Sequence, residues 1–376
     1  MLRAMPNYLH HLNNRLYSLL FACILGFSLL SCTKKDPDDP IIVPDETEFP
    51  TYIKACDLSF LPEMRSDGVG FKNFDQQAED PLTTLTKAGM NMVRLRVWNN
   101  PEGKSSPKDV AIFSKEIEEK KIVIWLTLHY SDTWADPGAQ SKPAAWTNLD
   151  FETLKDSVYH FTYAVAAAMK PGILQIGNEI NAGLLWPEGH RSNIFQMRAL
   201  LSEGIRACRE ASPKTKIMLH YAGHQNALSF FEPFVNLDFD LIGLSYYPIW
   251  HGKSLDELGT SIQNLKNTYN KEVIIAETSY PFSFGWADWT NNVLGNSGQI
   301  ISSFPASPQG QSDFLQALDA KIGEAGGKGW AYWGAEWVAS KGDQASNGSS
   351  WENQALWDFD FNALPAVNAF VRPVGK

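Results

Sequence analysis

The chain has 376 residues, 44% of them hydrophobic and 20% charged, enough for one large α/β domain of barrel size or two ordinary domains and too apolar for wholesale disorder. Lys and Arg number 32 against 42 Asp and Glu, a formal charge of -10. That sign argues against a nucleic-acid partner, because binding phosphates calls for a basic face.

The first 31 residues read as a leader. Arg3 and Arg15 precede an apolar run from Leu16 to Leu30 that is too short and too terminal for a membrane span. The run ends in LLSC, Leu29–Cys32, which resembles the lipobox of bacterial lipoproteins. The resemblance implies lipidation at Cys32 and an outer-membrane anchor. Loss of Arg3 and Arg15 with the leader would take the charge from -10 to -12. Residues 32–50 are rich in Asp and Pro and read as a solvated tether. Acidic residues close behind the cysteine resemble the surface-export signal of Bacteroidetes lipoproteins, so the expected location is the cell surface or outer membrane. Of the 4 cysteines, Cys23 leaves with the leader and Cys32 is the anchor, which leaves Cys56 and Cys208 as small core residues in apolar patterns.

From residue 51 to 376 the chain reads as one domain of alternating strands and helices. Strands are expected at Tyr52–Cys56, Met92–Trp98, Ile122–Leu128, Ile173–Gly177, Lys216–Leu219, Leu241–Ser245, Val273–Ala276 and Gly329–Trp333. Helical spacing fills the gaps, for example Val110–Lys120 and Leu154–Met169. Runs such as IVIWLTL and EVIIAE are apolar on consecutive residues, as parallel strands covered on both faces require. Eight βα repeats in this length predict a single (β/α)8 TIM barrel. A doubly wound open sheet is the competitor, but no GxGxxG follows the first strand.

Barrel chemistry gathers where the strands end. The predicted exits are Asp57, Arg94 and Arg96 on the second strand, His129, Asn178 with Glu179, His220, Tyr246 with Tyr247, Glu277, and Trp333. Glu179 and Glu277 are the glutamates immediately following strands, on strands four and seven, which face each other across the mouth. Such a pair suits glycoside hydrolysis: at about 5–5.5 Å one carboxylate attacks and the anomer is retained, whereas at about 6.5–9.5 Å a water fits between and it inverts. Arg94 and Tyr246 are the expected donors to Glu277, keeping it charged as nucleophile, which leaves Glu179 as acid/base.

The motifs SDTWADP at Ser131–Pro137, GNEI with AGLLWP at Gly177–Pro187, SYYP at Ser245–Pro248 and AET at Ala276–Thr278 together resemble glycoside hydrolase family 53, the endo-β-1,4-galactanases of clan A. The resemblance covers Tyr52 to Val371. It implies a retaining mechanism with Glu179 as acid/base and Glu277 as nucleophile, a substrate of pectic galactan or type I arabinogalactan, and contact of Asn178 with the sugar 2-hydroxyl. Two departures stand out. Family members often carry a glutamate directly after the strand-eight tryptophan, whereas YWGAEW here has Gly334 and then Glu336. Some bacterial members hold calcium in the loop after strand seven, but SFGWADWTNNVLGNS has only Asp288 and no Asp-x-Asp array. No cofactor or metal is expected, calcium being the one candidate left open.

Among 13 tryptophans, Trp134 and Trp333 are expected to stack on sugar, Trp125 to pack in the core, and Trp186 either to contact sugar or to stiffen the loop behind Glu179. His129 and His220 fit two roles equally, bracing the carboxylates or binding sugar. Asp57 and Asp132 are better candidates than Asp136 for binding hydroxyls. The rivals are a surface glycan-binding protein, which needs no opposed carboxylates, and a clan neighbour acting on mannan or glucan.

Overall fold

A computed structural model describes residues 48–371. The leader, Cys32 and most of the tether lie outside the described residues. Eight parallel strands close in sequence order into a barrel: β1 (Ile53–Asp57), β2 (Met92–Val97), β3 (Val123–Leu128), β4 (Ile173–Ile176), β5 (Lys216–Ala222), β6 (Leu241–Ser245), β7 (Glu272–Thr278) and β8 (Gly329–Tyr332). Each expected strand is present within a few residues. The single-barrel reading holds and the open sheet is excluded. Among the described residues no helix is long and apolar enough to cross a membrane.

Helix starts are set by caps that periodicity alone does not register. The expected Val110–Lys120 begins instead at Pro107, where Ser106 accepts from the Asp109 amide and proline takes the first helical position. The expected Leu154–Met169 begins at Phe151, capped by Asp150 on the Thr153 amide.

Strand alternation sorts the core into two layers. Inside the barrel, Ile53, Ala55, Met92, Val123, Trp125, Ile173, Met218, Leu241, Ile274, Ala276 and Ala331 pack together. Their outward neighbours, such as Cys56, Val93, Leu126, Leu174, Leu219 and Ile275, pack under the helices. Cys56 and Cys208 are free and buried, as expected. Lys54 points outward and is buried, and its ammonium donates to the Ala369 carbonyl at 2.7 Å and pairs with Asp319 at 3.1 Å, tying the C-terminal turn to the barrel. Complete burial of each large apolar side chain contributes about 1.5–3 kcal/mol. Such a filled interior can support a ring of charged groups one layer higher.

Two register shifts re-aim that upper layer. Leu244 faces Ile275 but Ser245 faces Glu277, so Ala276 is an extra residue on β7. Between β7 and β8, Ile275 faces Trp330 but Thr278 faces Tyr332. An inserted residue bends the strand and changes which face its successors present. Ala276 packs inside the barrel, and Glu277 next to it also reaches the mouth.

Candidate active site

The next inward step above the barrel core carries charge. Arg94 stands two residues above Met92 and is 1% exposed. Its Nη1 donates to Asp57 Oδ2 at 2.7 Å, and its Nη2 to Glu277 Oε1 at 2.7 Å and Asn178 Oδ1 at 2.9 Å. Glu277 Oε2 accepts from the Tyr247 hydroxyl at 3.0 Å. Both Glu277 carboxylate oxygens are therefore held by donors.

Glu179 is mounted differently. β4 ends at Ile176, Gly177 turns with φ 81°, and Glu179 itself has φ 46°. A Cβ at Gly177 would come within 2.6 Å of Ile180, so glycine is required there. A non-glycine residue in the left-handed region costs about 1–3 kcal/mol, and such strain clusters at functional sites. Glu179 Oε1 accepts from Ser245 Oγ at 2.5 Å.

The two carboxyls share one cavity of about 460 Å³, whose lining includes Asp57, Arg94, Arg96, His129, Trp134, Asn178, Tyr247 and Trp333. Burial, then the charge of Glu277, pushes Glu179 up to about 8. Burial and the nearby Asp57 raise Glu277 as well, while Arg94 and Tyr247 act against them by bonding its oxygens directly. Glu179 has the Ser245 hydroxyl on one oxygen and feels Arg94 less, so Glu277 is the better supported of the two as a carboxylate, the division of labour an acid and a nucleophile need.

Two expectations are corrected, and one left open, for His220, is decided. Tyr246 does not reach Glu277. On β6 Leu241 faces inward, as do Ser245 and Tyr247 two and four residues beyond Gly243, so Tyr246 falls on the helix side and donates to the Gly252 carbonyl at 3.0 Å. Asp132 is not on the cleft: its carboxylate accepts from the Ala144 amide at 2.7 Å and holds a loop, while Asp136 lines the cavity. His220 is fully buried and absent from the lining, so it braces rather than binds sugar. His129 does line the cleft; its Nδ1 accepts from the Ala135 amide at 3.1 Å, and burial holds the ring neutral.

Trp134 and Trp333 form a wall, their centroids 5.9 Å apart. The Arg96 guanidinium packs 4.4 Å from the Trp134 ring and 4.1 Å from that of Phe60, holding the Trp134 side of this wall. Trp125 is core, under Arg94. Trp186 donates to the Ala182 carbonyl at 3.0 Å and lies off the cavity, so it stiffens the loop behind Glu179.

Sequence reasoning missed Trp351 and His251, and left Trp250 without a role, although all three line the cavity. Trp250 and Trp351 are neighbours at 6.2 Å, contributed by the loops after β6 and β8. Nothing in the local pattern around Trp351 marks it. Gly334, at φ 68°, explains the departure after strand eight: an added Cβ would sit 3.0 Å from the Trp351 ring, so glycine admits that tryptophan. Glu336 is fully buried below, accepting from the Phe60 amide at 2.9 Å, and burial pushes its carboxyl up to about 8.

Several buried side-chain oxygens after β7 and β8 lack hydrogen-bond partners, among them Asp288 Oδ2, Asn292 Oδ1, Glu352 Oε2 and Asn353 Oδ1. They are hard donors of the kind calcium takes. Among the described residues no group of three or more His, Cys, Asp and Glu side chains is placed to hold a metal.

The sequence and fold have known counterparts. Residues 53–370 match the model of glycosyl hydrolase family 53. The arabinogalactan endo-β-1,4-galactanase of Cellvibrio japonicus is 37% identical over 87% of this chain and 92% of its own, and the endo-β-1,4-galactanase of Bacillus subtilis is 31% identical over 85% of each. The family 53 catalytic domain of Ignisphaera aggregans superposes with a TM-score of 0.80 at 34% identity, over 88% of this chain and 99% of that one. A match over nearly the whole described barrel, on the sequence that builds the Glu179–Glu277 cleft, makes the chain a member of glycosyl hydrolase family 53.

Proposed function

We propose that the protein is a retaining endo-β-1,4-galactanase acting on pectic galactan or type I arabinogalactan. The observation that carries this reading is the pair of carboxyls in one cavity, Glu277 gripped by Arg94 and Tyr247 and Glu179 pushed towards its neutral form. Glu277 attacks the anomeric carbon while Glu179 gives its proton to the departing glycosidic oxygen. Glu179, now ionised, takes a proton from the water that releases the sugar from Glu277. Asn178 spends one amide N–H on the Ala135 carbonyl at 2.9 Å, which leaves the second for the sugar 2-hydroxyl. A cleft flanked by loop tryptophans, with Trp250 53% exposed, suits internal cleavage of a chain. The curated relatives' galactanase names support the choice of galactan over mannan or glucan.

Reducing-sugar release from galactan, arabinogalactan, mannan and cellulose tests the substrate. Galactan is expected to be cleaved fastest. Cleavage confined to mannan or cellulose would reject the galactanase reading, and binding of galactan without hydrolysis would favour a glycan-binding protein. For pH, Glu179 must be protonated and Glu277 ionised, so kcat/KM should fall at high pH as Glu179 loses its proton near about 8, and at low pH as Glu277 gains one. A profile flat from pH 6 to beyond 9 would contradict the assignment.

Lipid attachment at Cys32 and display on the outer membrane are part of the same proposal, supported by LLSC and the acidic tether behind it. Cys32→Ala should move the enzyme from the membrane fraction to the soluble one, and an unchanged distribution would rule the anchor out.

A further inference from the structure

The β6–β7 register shift falls at Ser245, which faces into the barrel between two groups the mechanism touches only on one side. Ser245 Oγ lies 2.5 Å from Glu179 Oε1 and 3.0 Å from His220 Nε2. His220 Nδ1 in turn lies 3.3 Å from the Glu179 backbone nitrogen, 3.0 Å from Gln175 Nε2 and 3.2 Å from Asn178 Oδ1. Ser245 and His220 are fully buried, as is Gln175. A backbone N–H and the Gln175 amide nitrogen can only donate, and Asn178 Oδ1 already accepts from Arg94 and Gln175, so Nδ1 is an acceptor and the neutral ring carries its hydrogen on Nε2. That N–H donates to Ser245 Oγ. The hydroxyl's single hydrogen is then directed to Glu179 Oε1.

We propose that Ser245, oriented by His220 and Gln175, is a positioning residue that occupies Oε1 of Glu179 and confines the transferable proton to Oε2. The inference rests on the reading of Glu179 as acid/base. In the first step the Oε2 proton passes to the glycosidic oxygen, which keeps the electron pair of the broken C–O bond; in the second, Oε2 takes a proton from water. Ser245 and His220 keep their own protons throughout. One carboxyl orientation therefore serves both half-reactions, with no rotation between them. Burial holds His220 well below its ordinary range, so it does not charge and reverse the chain. The other charged groups acting on Glu179 are Glu277, Arg94 and Asp136, and the Ser245 hydrogen bond opposes the upward push of burial and Glu277.

Ser245→Ala should lower kcat on galactan roughly 10- to 100-fold, part of the usual contribution of a placed acid, with KM changed less than about threefold. It should move the alkaline limb of the pH profile upward, because the ionised form of Glu179 loses a donor. Ser245→Thr, which keeps a hydroxyl, should recover most of the rate. With a 2,4-dinitrophenyl β-galactobioside, whose leaving group needs no proton, kcat/KM of Ser245→Ala should stay within about threefold of the parent. An equal loss on both substrates would assign Ser245 a merely structural role and overturn the proposal, as would a galactan rate and pH profile unchanged by Ser245→Ala. Glu179→Ala separates the two levels of inference. If Glu179→Ala cleaves galactan normally, the acid assignment itself fails; if it is inactive while Ser245→Ala matches the parent, only the present inference does.

Discussion

Replacing Glu277 by alanine should lower the turnover of galactan by at least about 10³-fold, equivalent to about 4 kcal/mol of lost transition-state stabilisation. No neighbour can substitute. Asp57 is the other carboxylate bound to Arg94, but it stands on β1 and is already held by Arg94 Nη1 and the Ser59 amide. The variant should remain folded, because Arg94 keeps Asp57 as its counter-charge when Glu277 is removed. Steady-state kinetics with circular dichroism checks both halves of the expectation. Turnover within tenfold of the parent would take Glu277 out of the mechanism.

Arg94→Leu should be the more damaging change to the molecule as a whole. One guanidinium holds Asp57, Glu277 and the Asn178 amide oxygen, and leucine would leave two buried carboxylates facing each other without a cation. Breaking a buried pair by removing one partner costs about 3–5 kcal/mol. Urea unfolding should show that loss. Catalysis should fall too, since Arg94 is the main group opposing the upward push of burial on Glu277, and without it Glu277 stays protonated to higher pH. The acid limb of the pH profile should therefore move upward. Arg94→Lys keeps the charge but not the planar fork that reaches three acceptors, so it should recover stability better than activity. Parental stability in Arg94→Leu would mean that the buried pairs do not support the fold, and an unmoved acid limb would mean that Arg94 does not hold Glu277 ionised.

Most of this site was legible because a closed barrel imposes a rule on the sequence: side chains at strand ends converge. That rule located Asp57, Arg94, His129, Asn178, Glu179, Tyr247, Glu277 and Trp333 on one cavity before any coordinates. Where it failed, the reasons are specific. Alternation along β6 decides between Tyr246 and Tyr247, and counting from the inward Leu241 would have chosen Tyr247. The extra residue Ala276 leaves no mark in EVIIAE, because an apolar run reads alike with or without a register shift. Asp132 and Asp136 lie on one loop, and which of them turns to the cleft depends on the Ala144 amide, a loop contact that strand patterns do not encode. Trp351 reaches the site only through the long segment after β8, by way of the space that Gly334 leaves.

The sharpest test of two carboxyls acting on one glycosidic bond is the stereochemistry of the first product. Galactan digestion followed by proton NMR, before mutarotation scrambles the anomers, should show the β-anomer of the new reducing end appearing first, as double displacement through Glu277 requires. Initial appearance of the α-anomer would mean a single displacement by water, and Glu277 could not then be the attacking group.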